Sequence, residues 1–186
     1  MKRKTAKELL AESFWELAEE KPIGRITVGE IVRNCGYSTA TFYRHFKDKY
    51  DLIVWAYAQT VADTMNQIGI DGYPWKQTLL EGAKLFMENR NVLANLMLHT
   101  SGYDAFISHM TEINYRALKA HILKSSGQTE LDEKTDMYVR MYCMGTVCLT
   151  SEWILGKYRI TPEELATIYE NCLPLPLHPY LLQTRE

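Results

Sequence analysis

The 186-residue sequence contains no apolar run of about 18 residues, the length that a helix needs to cross a membrane. The start of the chain does not have the layout of a signal peptide, so we expect a cytoplasmic protein. No segment alternates apolar and polar residues as a half-buried strand does. These absences predict an all-α protein that neither spans nor crosses a membrane.

The short patterns that mark common catalytic sites are absent as well. The chain has no G-x-S-x-G, no phosphate-binding P-loop and no H-E-x-x-H. His99, His109 and His121 lack the spacing of metal ligands, so we expect no metal and no cofactor. An enzyme is therefore the least favoured class.

The four cysteines form no C-x-x-C pair. Three of them lie in apolar helical patterns, which indicates small buried side chains in a reducing compartment. A redox switch or a metal site is the alternative. The four are Cys35, Cys143, Cys148 and Cys172.

Positive charge is concentrated at the start of the chain. Residues 1–50 contain ten Lys and Arg against seven Asp and Glu, whereas the remainder contains 11 against 16. This asymmetry suits a protein with one end that faces a phosphate backbone and another that does not.

Residues 26–53 predict two short helices joined by a tight turn. Thr27 and Glu30 form a capping box that starts the first helix. Gly36 can adopt the left-handed backbone that ends it, and Ser38 caps the second. Apolar residues at three- and four-residue spacing give the first helix a buried side.

The second helix, from about Thr39 to His45, has two distinct sides. Phe42 and Phe46 lie on one side, where they are expected to be buried. At 100° per residue, Ala40 and Arg44 point away from them. Such a pair of helices describes a helix-turn-helix whose second helix can enter a DNA major groove.

The stretch Gly36-Tyr-Ser-Thr-Ala-Thr-Phe-Tyr-Arg-His-Phe-Lys-Asp-Lys-Tyr-Asp-Leu52 resembles the TetR family of bacterial transcriptional regulators. The resemblance is specific over about residues 5–55 and extends further only as a helical layout. It implies a DNA-binding domain at 1–50 and a helical effector-binding and dimerisation domain at 51–186. The implied function is a homodimeric repressor that binds a palindromic operator on double-stranded DNA and responds to a small-molecule effector. The alternative is a TetR-like activator or co-regulator that acts through a protein partner or ligand.

The expected DNA contacts follow from side-chain chemistry and from the resemblance. Small or polar residues suit base edges, and hydroxyl or basic groups suit phosphates. Each position also has a structural alternative, since Tyr43 could cover a helix junction, His45 could cap a turn, Lys49 could face solvent, and Thr27 and Ser38 are caps in any case. The candidate set is Thr27, Ser38, Thr39, Ala40, Thr41, Tyr43, Arg44, His45 and Lys49.

The remaining chain predicts further helices, for about nine in all. A fourth helix capped by Asp48 runs to about Ile68 and connects the two domains. Thr161 and Glu164, with proline after the cap, are the clearest start signal. We expect Pro174, Pro176 and Pro179 to end regular structure. The later helices fall at about 75–88, 90–100, 103–125, 132–158 and 162–173.

Two functions are predicted for these later helices. The helices at 132–158 and 162–173 carry apolar residues on more than one face, which predicts a twofold four-helix interface with a second copy. Met and aromatic residues also suit a plastic apolar cavity for an effector, although a plain core is the commoner use of such residues. The effector candidates are Phe86, Met97, Tyr103, Phe106, Met110, Tyr138 and Tyr142.

Overall fold

The computed structural model describes residues 4–68, 73–99 and 103–182, and within them all side chains except those of Thr60, Val92, Asn95, Leu96, His99 and residues 103–106. Over these ranges the chain is helical and contains no strand. Nine helices of seven residues or more and a short tenth are present, which confirms the all-α prediction. They are α1 (Ala6–Glu20), α2 (Val28–Asn34), α3 (Thr39–His45), α4 (Lys49–Gln67), α5 (Trp75–Glu88), α6 (Arg90–His99), α7 (Tyr103–Ser126), α8 (Glu133–Ile154), α9 (Pro162–Asn171) and α10 (His178–Leu181).

Local capping chemistry starts the helices where the sequence predicts. Thr27 accepts a hydrogen bond from the Glu30 N–H, and the Glu30 carboxylate accepts one from the Thr27 N–H. The same reciprocal box starts α1 at Thr5 and α9 at Thr161. Asp48 caps α4 by accepting from two backbone N–H groups. The capping signals therefore predicted these helix starts to the residue.

Two glycines end helices with a left-handed backbone. Gly36, with a φ of 75°, follows α2, and the N–H of Tyr37 donates to the carbonyl of Val32 at 2.8 Å. Gly156, with a φ of 87°, ends α8 in the same way. α8 therefore stops at Ile154, four residues before the predicted end, because its last carbonyls are satisfied by this turn.

The N-terminal helices form one unit, here called the head (residues 4–55). Its core includes Phe14, Ile31 and Phe42, which are fully buried. The Ser13 hydroxyl donates to the carbonyl of Ile31 at 2.7 Å and so ties α1 to α2. Leu52 of α4 belongs to the same core. The domain boundary at residue 50 stays a prediction, since α4 crosses it without a break.

The helices α4–α10 form the body (residues 56–182). α5 packs on α9, and α7 packs on α8 and on α4. The expectation that prolines end regular structure is wrong, because a 3₁₀ turn at Leu175–Leu177 leads directly into α10. Leu177 and Leu181 are buried in the body core, and proline is compatible with the first positions of a helix.

Among the described residues, the head and the body meet at α4 and at α6. α4 packs on α1 in the head and on α7 in the body. α6 packs against a 3₁₀ turn at Ile23–Arg25, which connects α1 to α2. None of the described helices is long and apolar enough to cross a membrane.

Candidate nucleic-acid interface and interior cavity

The outer side of α3 is a small polar surface. Phe42 and Phe46 are buried in the head, as predicted, whereas Ala40 and Arg44 are exposed on the other side. Thr39 and Ser38 are exposed at the start of the helix. Alanine and threonine leave room for a close approach of α3 to base edges.

The side chains on this surface hold one another in place. Ser38 accepts from the Thr41 N–H at 3.1 Å, and its hydroxyl lies 3.1 Å from the Thr41 hydroxyl. Arg44 Nη2 donates to the same Thr41 hydroxyl at 3.3 Å. Thr41 and His45 are half-buried at the margin of the surface. The guanidinium of Arg44 is thereby aligned along the exposed side of α3.

Tyr43 is a large side chain that the head leaves uncovered. It is 60% exposed, and its ring packs edge-on against Phe42, with centroids 5.4 Å apart. The side chain is therefore accessible to a phosphate, as the predicted contact requires.

Thr27 lies at the exposed start of α2, where free N–H groups favour an anion. Its hydroxyl donates to Glu30 at 2.8 Å. A salt bridge from Lys21 and hydrogen bonds from Thr27 lower the pKa of Glu30 to about 2, so this carboxylate is ionised. Lys21 balances that charge close to the predicted phosphate contact. Lys21 lies outside any motif, so nothing in the sequence marks it.

Lys49 has a different role from the predicted one. Its ammonium donates to the carbonyls of Ile23, Gly24 and Ile26 at 2.7, 3.1 and 2.8 Å. Burial lowers the pKa of Lys49 below its usual value. The phosphate contact is therefore replaced by an internal one, which ties the start of α4 to the 3₁₀ turn before α2. No sequence signal marks three carbonyls that converge only in the fold.

The outer side of α8 is apolar for most of its length. Met137 is 65% exposed, and Met141 and Met144 are more than half exposed. Leu149 on α8 and Ile168 on α9 are also exposed. At 100° per residue the three methionines lie within one side of the helix, opposite the buried Val139 and Cys143. The five exposed residues, Met137, Met141, Met144, Leu149 and Ile168, are here called the apolar face. This face extends over α8 and α9, the two helices predicted to form the dimer interface.

Tyr138 lies on this outer side and does not line the interior cavity, so its assignment to the effector site is wrong. All four cysteines are free thiols. Cys143 is buried as expected, but Cys172 at the end of α9 is exposed, which corrects that expectation.

A cavity of about 130 Å³ lies inside the body, between α4 and α9. Of the predicted effector residues, Phe86, Met97, Met110 and Tyr142 line it. The side chains of Tyr103 and Phe106 lie outside those described. The cavity wall is mainly apolar, with further contributions from Val61, Leu79, Leu93, Leu118, Val147, Ile154 and Leu165.

Most polar groups around the cavity bond to one another. Tyr142 donates to the carbonyl of Tyr169 at 2.9 Å, and the hydroxyls of Thr150 and Tyr169 lie 2.8 Å apart. Asn114 donates to the Tyr57 hydroxyl at 3.1 Å. Burial raises the pKa of Tyr57 to about 12 and raises those of Tyr142 and Tyr169. These phenols are therefore neutral at ordinary pH.

Two polar groups on α5 are the exception. The Thr78 hydroxyl and the Trp75 indole N–H are buried in the cavity wall without a hydrogen-bond partner among the described residues. The indole lies near the Tyr142 side chain, but not in hydrogen-bonding geometry. The sequence analysis missed both, since an unpartnered group is recognisable only when its surroundings are known.

Tyr57 and Phe86 separate this cavity from a second one at the junction of head and body. Their rings are stacked with centroids 5.8 Å apart. Both residues line both cavities, and Trp15 of α1 lines the second. This wall therefore lies between the interior cavity and the head.

Taken together, the helix-turn-helix with its exposed polar surface and the helical body with a cavity are the two parts expected of a helix-turn-helix regulator. A family model described as "Bacterial regulatory proteins, tetR family" matches residues 14–54, and a "Transcriptional regulator C-terminal region" model matches residues 74–174. The chain belongs to the TetR family of transcriptional regulators.

Two curated relatives are similar to it. The uncharacterized HTH-type transcriptional regulator YxbF of Bacillus subtilis is 25% identical over 134 residues, 71% of this chain and 35% of YxbF. The dhaKLM operon transcriptional activator DhaS of Lactococcus lactis is 22% identical over 98 residues, 53% of this chain and 52% of DhaS. The chain thus matches about a third to a half of the length of these relatives.

Solved structures share the fold. A TetR transcriptional regulator from Rhodococcus sp. RHA1 superposes with a TM-score of 0.67 and 18% identity, over 95% of this chain and 100% of that one. Thermus thermophilus FadR, a TetR-family repressor in complex with lauroyl-CoA, superposes with a TM-score of 0.59 and 14% identity. The superposition covers 96% of this chain and 97% of that one.

Proposed function

We propose that this regulator acts as a homodimer that binds a palindromic operator through α3 and releases it when a small molecule enters the body cavity. The observation that carries the DNA-binding part is the two-sided α3, with Phe42 and Phe46 buried and Ala40 and Arg44 exposed. Thr39, Ala40, Tyr43 and Arg44 read bases, while Thr27, Tyr43 and His45 contact phosphates. Ser38 and Thr41 hold this surface in shape. Such a protein acts in the cytoplasm, where the chromosome lies.

The homodimer is supported by the apolar face of α8 and α9. A helix that exposes three methionines in one stripe, with an exposed leucine further along, needs a partner surface. A second copy offers the same stripe, and a twofold axis makes it self-complementary. The two α3 helices then lie about 34 Å apart, one turn of DNA.

The effector response is supported by the wall between the two cavities. Tyr57 and Phe86 contact the interior on one side and face Trp15 of the head on the other. A ligand that displaces this stacked pair changes how α1 rests on α4 and on the rest of the body. A coupling free energy of about 1–3 kcal/mol suffices to change DNA affinity about tenfold or more. FadR, which shares the fold, binds lauroyl-CoA.

The test is to select DNA from a random pool with the purified full chain and to sequence the retained fragments. We expect a palindrome whose half-site centres are about 10 base pairs apart. Arg44→Ala should weaken operator binding about tenfold or more and relax the sequence preference at one position. Arg33→Ala, at an exposed arginine of α2 outside the candidate set, should weaken binding less and equally for all sequences. Failure to retain any sequence in a salt-sensitive manner would contradict the proposal.

A second candidate is activation of transcription, which the likeness to the activator DhaS favours. Repression and activation are distinguished by placing the selected operator upstream of a reporter gene. Repression predicts higher expression when the chain is deleted, and activation predicts lower expression. A protein partner that copurifies in equal amounts, without DNA, would favour the co-regulator alternative.

A further inference from the structure

Building on the proposed effector response, we infer that the cavity ligand is an uncharged, mainly apolar molecule of about one ring in size, with one oxygen that pairs with Thr78. The inference rests on what the described wall contains, on its volume and on its unpartnered groups. Each of these constrains a different property of the ligand.

The described part of the wall offers no charge that could pair with a charged ligand. Helices α4 to α9 all contribute to it, and none of its described residues is an Asp, Glu, Lys, Arg or His. The phenols and the Cys143 thiol do not supply charge either, because burial raises their pKa values well above neutrality. Transfer of a carboxylate or an ammonium into such surroundings is strongly unfavourable without a counter-charge.

The volume limits the size. An apolar engineered cavity of about 150 Å³ in another protein binds benzene, and the cavity here measures about 130 Å³. A single ring or a short aliphatic chain fits this space. Larger molecules require the Met side chains of the wall to move.

The two unpartnered groups place one polar atom on the ligand. The side chain of Thr78 is 4% exposed, and its hydroxyl lacks a partner. Trp75 lies three residues earlier on α5, so its indole N–H is on the same side of the helix. The hydroxyls of Thr150, Tyr169 and Tyr142 already lie in hydrogen bonds with protein groups. An oxygen on the ligand therefore pairs most readily on the α5 side.

The experiment compares four probes on the full chain by isothermal titration calorimetry at pH 7. Phenol and toluene have nearly the same shape and differ by a hydroxyl in place of a methyl group, while benzoate and benzylammonium add a charge of either sign. We expect phenol to bind at least tenfold more tightly than benzoate or benzylammonium. Toluene should bind, but more weakly than phenol.

The variant Thr78→Val removes the hydroxyl and keeps the shape. It should weaken phenol binding about threefold to tenfold and leave toluene binding unchanged, since a hydrogen bond contributes about 0.5–1.5 kcal/mol. Thr111→Val is the matched control, because Thr111 is also buried with an unpartnered hydroxyl but does not line the cavity. It should change neither affinity.

Several results would overturn the inference: benzoate binding as tight as phenol, an unchanged phenol affinity in Thr78→Val, or no binding of phenol or toluene. DNA affinity is measured on the same preparations. Operator binding that persists while no probe binds overturns the ligand class and leaves the DNA-binding function standing. Phenol binding that depends on Thr78 but leaves operator affinity unchanged supports the ligand class and contradicts the effector response.

Discussion

The head and the body differ in whether their buried polar groups have hydrogen-bond partners and whether their large apolar side chains are covered. All three buried side-chain groups without a partner, on Trp75, Thr78 and Thr111, belong to the body, and none of those described belongs to the head. Of the large apolar side chains that are exposed among the described residues, only Tyr43 lies in the head, on its candidate DNA surface. The head is thus complete in itself apart from its DNA-facing side.

The body is incomplete in two respects. Among the described residues, nothing covers its outer apolar face, and two polar groups of its inner wall have no hydrogen-bond partner. Each deficit has a candidate partner of different chemistry: a second copy outside and a small molecule inside. In this protein, the groups that remain unsatisfied among the described residues of a single chain are those at which we propose binding.

The largest effect is expected from charging the apolar face. Met141→Glu places a carboxylate in the proposed twofold interface, where it meets its own symmetry copy, so the dimer should dissociate. Because two linked half-site contacts bind far more tightly than one, operator affinity should fall about a hundredfold or more. Analytical ultracentrifugation and gel-shift titration measure the two effects.

Leu98→Glu is the matched control for that change. Leu98 is 66% exposed on α6, about as exposed as the methionines of the apolar face, but it lies on another helix. This variant should stay dimeric and bind the operator normally. If the Met141→Glu protein remained dimeric, the apolar face would not be the dimer interface.

A smaller effect is expected from Lys49→Met, which removes the donor to three carbonyls. The free energy of unfolding should fall by about 1–3 kcal/mol, because the carbonyls lose a charged partner. DNA affinity should fall while the slope of its logarithm against the logarithm of salt concentration stays the same. Loss of a phosphate contact would instead flatten that slope by about 0.9. Lys47→Met, at an exposed neighbouring lysine, is the control and should leave stability unchanged.

The unpartnered hydroxyls of the body predict a gain in stability. Thr78→Val and Thr111→Val each remove a buried group whose burial is not offset by a hydrogen bond, so the free energy of unfolding should rise by about 1 kcal/mol. Thr150→Val should lower it, since the Thr150 hydroxyl is bonded to Tyr169. Urea unfolding of the three variants measures this, and a loss of stability in all three would remove the contrast between head and body.

The smallest effect concerns acid stability of the head. The pKa of Glu30 is about 2 in the fold and about 4.5 without it, so its contribution is complete above pH 4.5 and is lost as the pH falls towards 2. Glu30→Gln keeps the capping geometry but loses the ion pair with Lys21. It should be less stable than the parent at pH 7, and the difference should vanish near pH 2. Lys21→Met should reproduce this dependence, and a constant difference over the whole range would contradict it.

Most of the head was predictable because its structure is local. Capping residues, helix-ending glycines and the two phenylalanines of α3 act within a few positions of themselves, so their spacing carries the information. Lys49 is the exception. Its three carbonyl partners are 23–26 positions away along the chain, and only the path of the chain brings them to its ammonium.

The helices of the body could be predicted from the sequence, but the residues that face its cavity could not. Periodicity placed α5 at its observed bounds and indicated that α8 has two apolar sides, whereas it did not decide which side faces inward. Tyr138 was assigned to the cavity on residue type alone, and the fold turns it outward. The docking of α10 by Leu177 and Leu181 was missed, because proline spacing signals a break and says nothing of distant burial.

The sequence alone determined the helix starts, the glycine turn at Gly36 and the two-sided character of α3, because each depends on neighbours within about four residues. The tertiary structure decided which polar groups remain without partners, which apolar side stays uncovered and where Lys49 donates. Those properties depend on residues far apart in the chain, and their burial is defined only once the helices have packed.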